Sequence, residues 1–190
     1  MIDVILIGGS AGALPILVDL LPVLSDALVT PIVIALHLPP EPSHLPRVLG
    51  ELCRRPVREV DDKEPLAPST IFIAPPNYHL LVERTLTFAL SVDEPVQFSR
   101  PSIDVLFESA ADSLGARVVA VLLSGANGDG ARGLERICRA GGIAIVQDPT
   151  TATMPAMPLA AIASTGSAAR IARPDQLSDL LFASCAKGST

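Results

Sequence analysis

The chain has 190 residues, 49% of them hydrophobic and only 18% charged, with a formal charge of −6 and a pI near 5.0. That balance argues against nucleic acid as a partner, because a phosphate backbone needs a basic face. No apolar run reaches the ~18 uninterrupted residues of a membrane span, which argues against insertion into a bilayer.

The length suits one well-filled domain over residues 1–190. Aromatic residues are 3% and Trp is absent. The core must therefore come from Ala, Val, Leu and Ile, which suits a buried parallel sheet covered on both faces by Ala- and Leu-rich helices. Cys53, Cys138 and Cys185 are widely spaced and form no C-x-x-C. They suggest neither a disulfide framework nor a zinc cluster, so no metal or cofactor is expected. The N-terminus opens a strand without a basic leader, and a cytoplasmic protein is the expectation.

In chain order, Val4-Ile5-Leu6-Ile7 reads as a buried strand that stops in Gly8-Gly9-Ser10-Ala11-Gly12. Those five residues fit the G-x-S-x-G elbow, in which flanking glycines permit a strained turn that lifts one hydroxyl past the sheet edge. The pattern is short enough to arise by chance roughly one time in fifteen in a chain of this length. A phosphate cradle and a plain structural turn remain alternatives, although G-x-G-x-x-G would require glycine where Ser10 stands.

Ala13 to Leu24 predicts a buried helix that Pro22 ends or kinks. Ile32 to Leu36 is a second apolar strand, closed by His37-Leu38-Pro39-Pro40. His37, like Ser10, therefore falls at a strand's C-terminal end, the edge at which open α/β sheets bind ligands. Ser43 to Arg55 predicts a helix, and Asp61-Asp62-Lys63-Glu64 a solvated loop. Ile71–Ala74, Leu80–Val82 and Leu86–Leu90 predict short strands of an antiparallel insertion.

Ser102 can cap a helix running to about Leu114. Val118 to Leu123 is another long buried strand, ending in Ser124-Gly125-Ala126-Asn127-Gly128-Asp129-Gly130 before a helix over Ala131–Ala140. Asp129 reads either as a site carboxylate or as an ordinary N-cap of that helix. Ile143–Gln147 predicts a strand, Pro158–Ser164 a short helix, Ala168–Ile171 an edge strand and Pro174–Cys185 a terminal helix. Strands alternating with helices predict a doubly wound, mostly parallel α/β sheet with helices on both faces and a small antiparallel insertion.

Separate strands thus deliver Ser10, His37 and Asp129 to one sheet edge. A serine hydroxyl is too weak an acid to ionise unaided, so an imidazole must take its proton as it attacks a carbonyl. A carboxylate on the far ring nitrogen then fixes the tautomer and stabilises the imidazolium. Asp129→Asn is accordingly expected to lower activity with little effect on folding; Asp104 and Asp148 are the next carboxylates to consider. His44 lies among Ser43, Leu45 and Pro46, and His79 follows Tyr78 in a turn. Surface or capping roles suit both better than catalysis.

Several segments in register resemble the catalytic domain of chemotaxis protein-glutamate methylesterases, the CheB-type family. They are residues 7–12, Leu36-His37-Leu38-Pro39, Ile73-Ala74-Pro75-Pro76-Asn77-Tyr78-His79, Arg100-Pro101-Ser102-Ile103-Asp104-Val105-Leu106-Phe107, Gly125-Ala126-Asn127-Gly128-Asp129-Gly130-Ala131, and Met157-Pro158. The resemblance implies that Ser10, His37 and Asp129 are nucleophile, base and orienting acid for hydrolysis of methyl esters on receptor glutamates. It also implies glutamine deamidation as a second activity, without a cofactor. The backbone N–H groups of Ala11 and Ala126 would stabilise the oxyanion. The implied partner is the methylated cytoplasmic segment of a chemoreceptor.

Two departures from the family pattern stand out. Ala126 replaces a methionine usual beside the site. The first strand also begins almost at Met1, where similar proteins commonly carry a phosphorylatable receiver domain first. The expectation is that phosphorylation in cis does not control this chain, and that any receiver acts as a separate protein.

Overall fold

Strands buried on both faces carry continuous apolar runs, and such runs form the centre of the sheet in the computed structural model, which describes residues 2–37 and 44–186. The elements in order are β1 (Val4–Gly9), α1 (Ala13–Ala27), β2 (Ile32–Leu36), α2 (Leu45–Leu52), β3 (Val57–Glu59), β4 (Ile71–Ile73), β5 (His79–Val82) and β6 (Phe88–Ser91). They continue with α3 (Ile103–Leu114), β7 (Val118–Leu122), α4 (Ala131–Arg139), β8 (Ile143–Gln147), α5 (Ala156–Thr165), β9 (Arg170–Ala172) and α6 (Leu177–Ala186). Seven strands form one parallel sheet in the order β3-β4-β2-β1-β7-β8-β9, while β5 and β6 pair antiparallel as a separate hairpin.

Alternation along β1 sorts the core into two layers. Val4 and Leu6 face α3, α4 and α5 through Phe107, Leu134 and Met157. Ile5 and Ile7 face α1, α2 and α6 through Leu17, Leu21, Leu49 and Leu181. Each such fully buried aliphatic side chain contributes about 1.5–3 kcal/mol of transfer free energy. The doubly wound fold predicted for the chain is the one observed.

Several local expectations are corrected. The helix expected over Ala13–Leu24, with Pro22 ending or kinking it, is not ended there and runs on to Ala27. Proline removes one intrahelical hydrogen bond at about 3 kcal/mol, whereas Leu17, Leu20, Leu21 and Leu24 are all buried on the sheet-facing side and outweigh it. The strand at Ile71–Ile73 belongs to the parallel sheet, paired with β2 and β3, and not to the antiparallel insertion. Ile71, Phe72 and Ile73 are apolar on both faces, which only an interior position satisfies. Edge strand β3 has no signature in the sequence, because Val57-Arg58-Glu59 is half-buried and carries no apolar run. The helix expected over Ser43–Arg55 spans only Leu45–Leu52; Ser43 and Leu38-Pro39-Pro40 lie outside the described residues.

The strand order reverses between β1 and β7. From β1 the chain moves through β2 to one side of the sheet, and β7 lies on the other side of β1. This reversal opens a crevice at the strands' C-terminal ends. Gly8 lets α3 press onto that end of β1, since a Cβ there would collide with Ile103 Cγ2 and sit 3.1 Å from Leu122 Cδ1. The start of α3 is thereby brought over the crevice.

Candidate active site

Ser10 and His37 each follow the last residue of a strand, and those strands are neighbours. Gly9 pairs with Leu36, and the His37 N–H donates to Gly9 O at 3.2 Å. Ser10 and His37 are the residues next beyond that last pair. Ala35 packs in the α3 layer and Leu36 in the opposite one, so alternation turns His37 back toward α3.

There it meets Asp129: His37 Nε2 and Asp129 Oδ2 are 2.7 Å apart. With Nε2–H donated to the carboxylate, Nδ1 is left as the free acceptor of the ring. The hydrogen bond fixes the His37 ring, while the Ser10 hydroxyl makes no hydrogen bond to it among the described residues. The structure brings Ser10, His37 and Asp129 to the same edge from β1, β2 and the loop after β7.

The strain expected of an elbow lies elsewhere than at the serine. The left-handed residue is Gly12, φ 86°, directly before α1, and Ser10 is absent from the positive-φ residues described. A Cβ on Gly12 would lie 2.5 Å from Thr153 Cβ and 2.8 Å from Ser124 Oγ, so glycine is required both by φ and by space.

Asp129 does not cap its own helix. Gly130 is the N-cap residue of α4 and has no side-chain cap bond. The carboxylate reaches instead to the start of α3, where Ser102 Oγ donates to Oδ1 at 2.7 Å, the Ile103 N–H to Oδ2 at 2.7 Å and the Asp104 N–H to Oδ1 at 3.0 Å. The orphan amides of a helix N-terminus suit an anion. Burial by itself would push the Asp129 carboxyl up, but the His37 hydrogen bond, the two α3 amides and the Ser102 hydroxyl outweigh it and hold it below the ordinary carboxylate range.

Asp104 is buried too, but serves another contact, accepting from the Gly133 N–H at 2.8 Å and from Gln97 Nε2 at 3.3 Å. Desolvation, aided by the Asp129 charge, pushes its carboxyl up against the opposing pull of the Gly133 amide and Arg132. Asp148 caps its own turn by accepting from Thr150 N. Neither competes for His37.

The two backbone donors expected for an oxyanion stand in turns that are bonded to each other. Ala11 and Ala126 are exposed, and their N–H groups have no acceptor among the described residues. The two turns that carry them are laced together: the Ser10 N–H donates to Ser124 O at 2.8 Å, and Ser124 Oγ donates to Ala11 O at 2.7 Å. Buried Gln147 anchors the lacing by accepting from Ser124 N at 2.8 Å. A Cβ on Gly125 would lie 2.6 Å from Met157 Sδ, so this glycine admits the methionine beside Ala126. Ser124 and Gln147 carried no sequence signal, because their partners are distant in the chain.

The two other histidines part ways. His44 precedes α2 and makes no cap bond. His79, expected in a surface or capping role, opens β5 and is 2% exposed, with Nδ1 accepting from the Ser102 N–H at 3.2 Å. The cleft beside His37 has a volume of about 340 Å³ and is lined by Asn77, Pro95, Phe98, Ser99, Arg100 and Pro101. No group of residues able to hold a metal occurs among the described residues, and no described helix is long and apolar enough to cross a membrane. The three cysteines are free and half-buried.

Fold and site together define a doubly wound α/β protein with a histidine–carboxylate couple over its switch-point crevice, next to a serine at a strand end. The chain belongs to the CheB methylesterase family, whose model matches residues 5–181. A relative from Leptospira interrogans is 44% identical over 164 residues, covering 86% of this chain and 85% of its own length. The protein-glutamate methylesterase/protein-glutamine glutaminase of group 3 operon from Bradyrhizobium diazoefficiens is 35% identical over 167 residues, covering 86% of this chain but 46% of that protein. The chain thus spans most of the first relative and about half of the second. Among solved structures, the CheB methylesterase catalytic domain of Thermotoga maritima superposes with a TM-score of 0.89 at 26% identity, over 95% of this chain and 97% of that one.

Proposed function

We propose that the protein is a protein-glutamate methylesterase acting in the cytoplasm on the methylated segment of a chemoreceptor. The observation that carries this reading is the 2.7 Å His37 Nε2–Asp129 Oδ2 hydrogen bond at the switch point, where His37 and Ser10 each follow the last residue of adjacent strands. His37 Nδ1 takes the Ser10 proton as Oγ attacks the ester carbonyl, and the oxyanion is received by the Ala11 and Ala126 N–H groups. The imidazolium, stabilised by Asp129, gives its proton to departing methoxide. Water then repeats the sequence on the acyl-enzyme and releases glutamate. Glutamine deamidation is the same acyl transfer with ammonia leaving, and the Bradyrhizobium relative's name includes both activities.

The test is methanol release from methylated receptor preparations by the native chain and by Ser10→Ala. The half-exposed serine makes no side-chain hydrogen bond among the described residues, so the variant should fold normally. Its rate should fall by at least about 10³. Retention of most of the native release would refute Ser10 as the nucleophile, whereas no release by the native chain would leave a binding module in place of an enzyme.

A further inference from the structure

His79 is a buried histidine that the steps above do not use, and both its ring nitrogens are engaged. Nε2 contacts Glu94 O at 3.1 Å, and Nδ1 faces the Ser102 N–H at 3.2 Å. The carbonyl can only accept and the amide can only donate, so the proton sits on Nε2 and Nδ1 is the acceptor. Ser102 is the N-cap of α3, and it is the residue whose hydroxyl, with the next two amides, holds Asp129.

A continuous path results. It runs from the β5–β6 hairpin through His79 to the Ser102 backbone, from the Ser102 hydroxyl to Asp129 Oδ1, and from Asp129 Oδ2 to His37. Asp129 takes one donor from the catalytic side and three from the first three residues of the α3 end. Its position is therefore set mainly by where α3 begins, and His79 holds the first of those residues. Further along the hairpin, the Val82 N–H donates to Ser109 Oγ at 3.1 Å and Val82 O accepts from Ser113 Oγ at 2.8 Å, so β5 is fastened to α3 beyond its start as well.

We infer that His79 is a positioning residue for the reaction: by accepting the Ser102 N–H it holds the α3 start where Asp129 meets His37 squarely. The hairpin that interrupts the parallel sheet thereby acquires a task in the active site without touching substrate. The inference rests on the methylesterase reading, because it assigns Asp129 the role of orienting His37.

Two side chains separate the ring nitrogens experimentally. In His79→Asn, Oδ1 stands near the former Nδ1 and can accept from Ser102. In His79→Gln, Nε2 stands near the former Nε2 and keeps only the Glu94 contact. A misplacement approaching 1 Å costs on the order of 10² in rate. The expectation is that His79→Gln and His79→Ala lose about 10- to 100-fold in kcat with KM unchanged, while His79→Asn recovers to within about threefold of native.

The pH profile discriminates positioning from simple loss of folded protein. A weaker Asp129 contact stabilises the imidazolium less, so the acid limb of kcat/KM should move to lower pH in His79→Gln. A smaller folded fraction would scale the profile without moving it. A readout independent of turnover is the proton NMR signal of the His37 Nε2–H, expected at its native position in His79→Asn and displaced in His79→Gln. Equal kcat in folded His79→Asn and His79→Gln, with an unmoved limb and signal, would overturn the inference. No methanol release by the native chain would instead overturn the methylesterase reading and leave the NMR comparison standing.

Discussion

Replacing Asp129 by Asn tests the site and the fold in one variant. All four groups around the carboxylate are donors: His37 Nε2 and the Ile103 N–H at Oδ2, Ser102 Oγ and the Asp104 N–H at Oδ1. An amide offers one oxygen and one NH₂, so either orientation sets donor against donor. With Nδ2 toward His37, the imidazole must accept on Nε2, its proton moves to Nδ1, and the base facing Ser10 is lost; the Ile103 N–H is orphaned too. With Nδ2 on the other side, the Ser102 hydroxyl can turn to accept but the Asp104 N–H is orphaned. A buried unsatisfied amide costs about 1–3 kcal/mol, and loss of charge-assisted strength adds to it, so destabilisation of about 2–4 kcal/mol is expected. That revises the sequence-based expectation of a nearly neutral change in folding. Methanol release should fall by roughly 10³ to 10⁴, the size seen when a triad acid is neutralised. Urea unfolding and methanol release on the same preparation measure both. The sign with pH is also fixed: a carboxyl held below its unfolded value of about 3.9 stabilises the fold above that pH and ceases to as pH drops through its lowered folded value. The stability gap between native and Asp129→Asn should therefore close in acid. A folded variant with native release and an unchanged urea midpoint would refute the assignment of Asp129.

Three further outcomes are expected. Gly8→Ala drives a methyl into Ile103 at the α3 start, so it should destabilise by about 1–3 kcal/mol and lower kcat, and a native kcat and urea midpoint would show that α3 need not press on β1. Asp104→Asn should raise Tm at pH 7, because burial raises this carboxyl and its ionised form weakens the fold increasingly as pH rises from the unfolded value of about 3.9 through the raised folded value; the gain should fade below that window, and a loss of Tm at pH 7 would contradict it. Phe98 is 104% exposed at the cleft rim, on a turn where Gln97 and Phe98 both have positive φ. Phe98→Ala should raise KM for a methylated protein without affecting a small methyl ester, as steady-state rates on both would show.

Much of this protein follows from local pattern. The uninterrupted apolar runs at β1, β2, β7 and β8 could only be strands buried on both faces, and each ends in a turn that leaves a polar residue at the sheet edge. Ser102 as a cap, and Ser10, His37 and Asp129 as strand-end residues, follow from the same reading because such signals act over a few neighbouring positions. What the tertiary structure alone decided is whom the buried polar groups meet. Asp129 passes over its own helix to the start of α3, His79 leaves the expected surface to brace Ser102, and Ser124 ties turns that are far apart in sequence. The helix through Pro22 and the transfer of β4 into the parallel sheet have the same origin. A buried donor or acceptor must be satisfied by whatever the folded chain brings near it, and an apolar face by whatever covers it, and neither partner is encoded within reach of the residue's own neighbours.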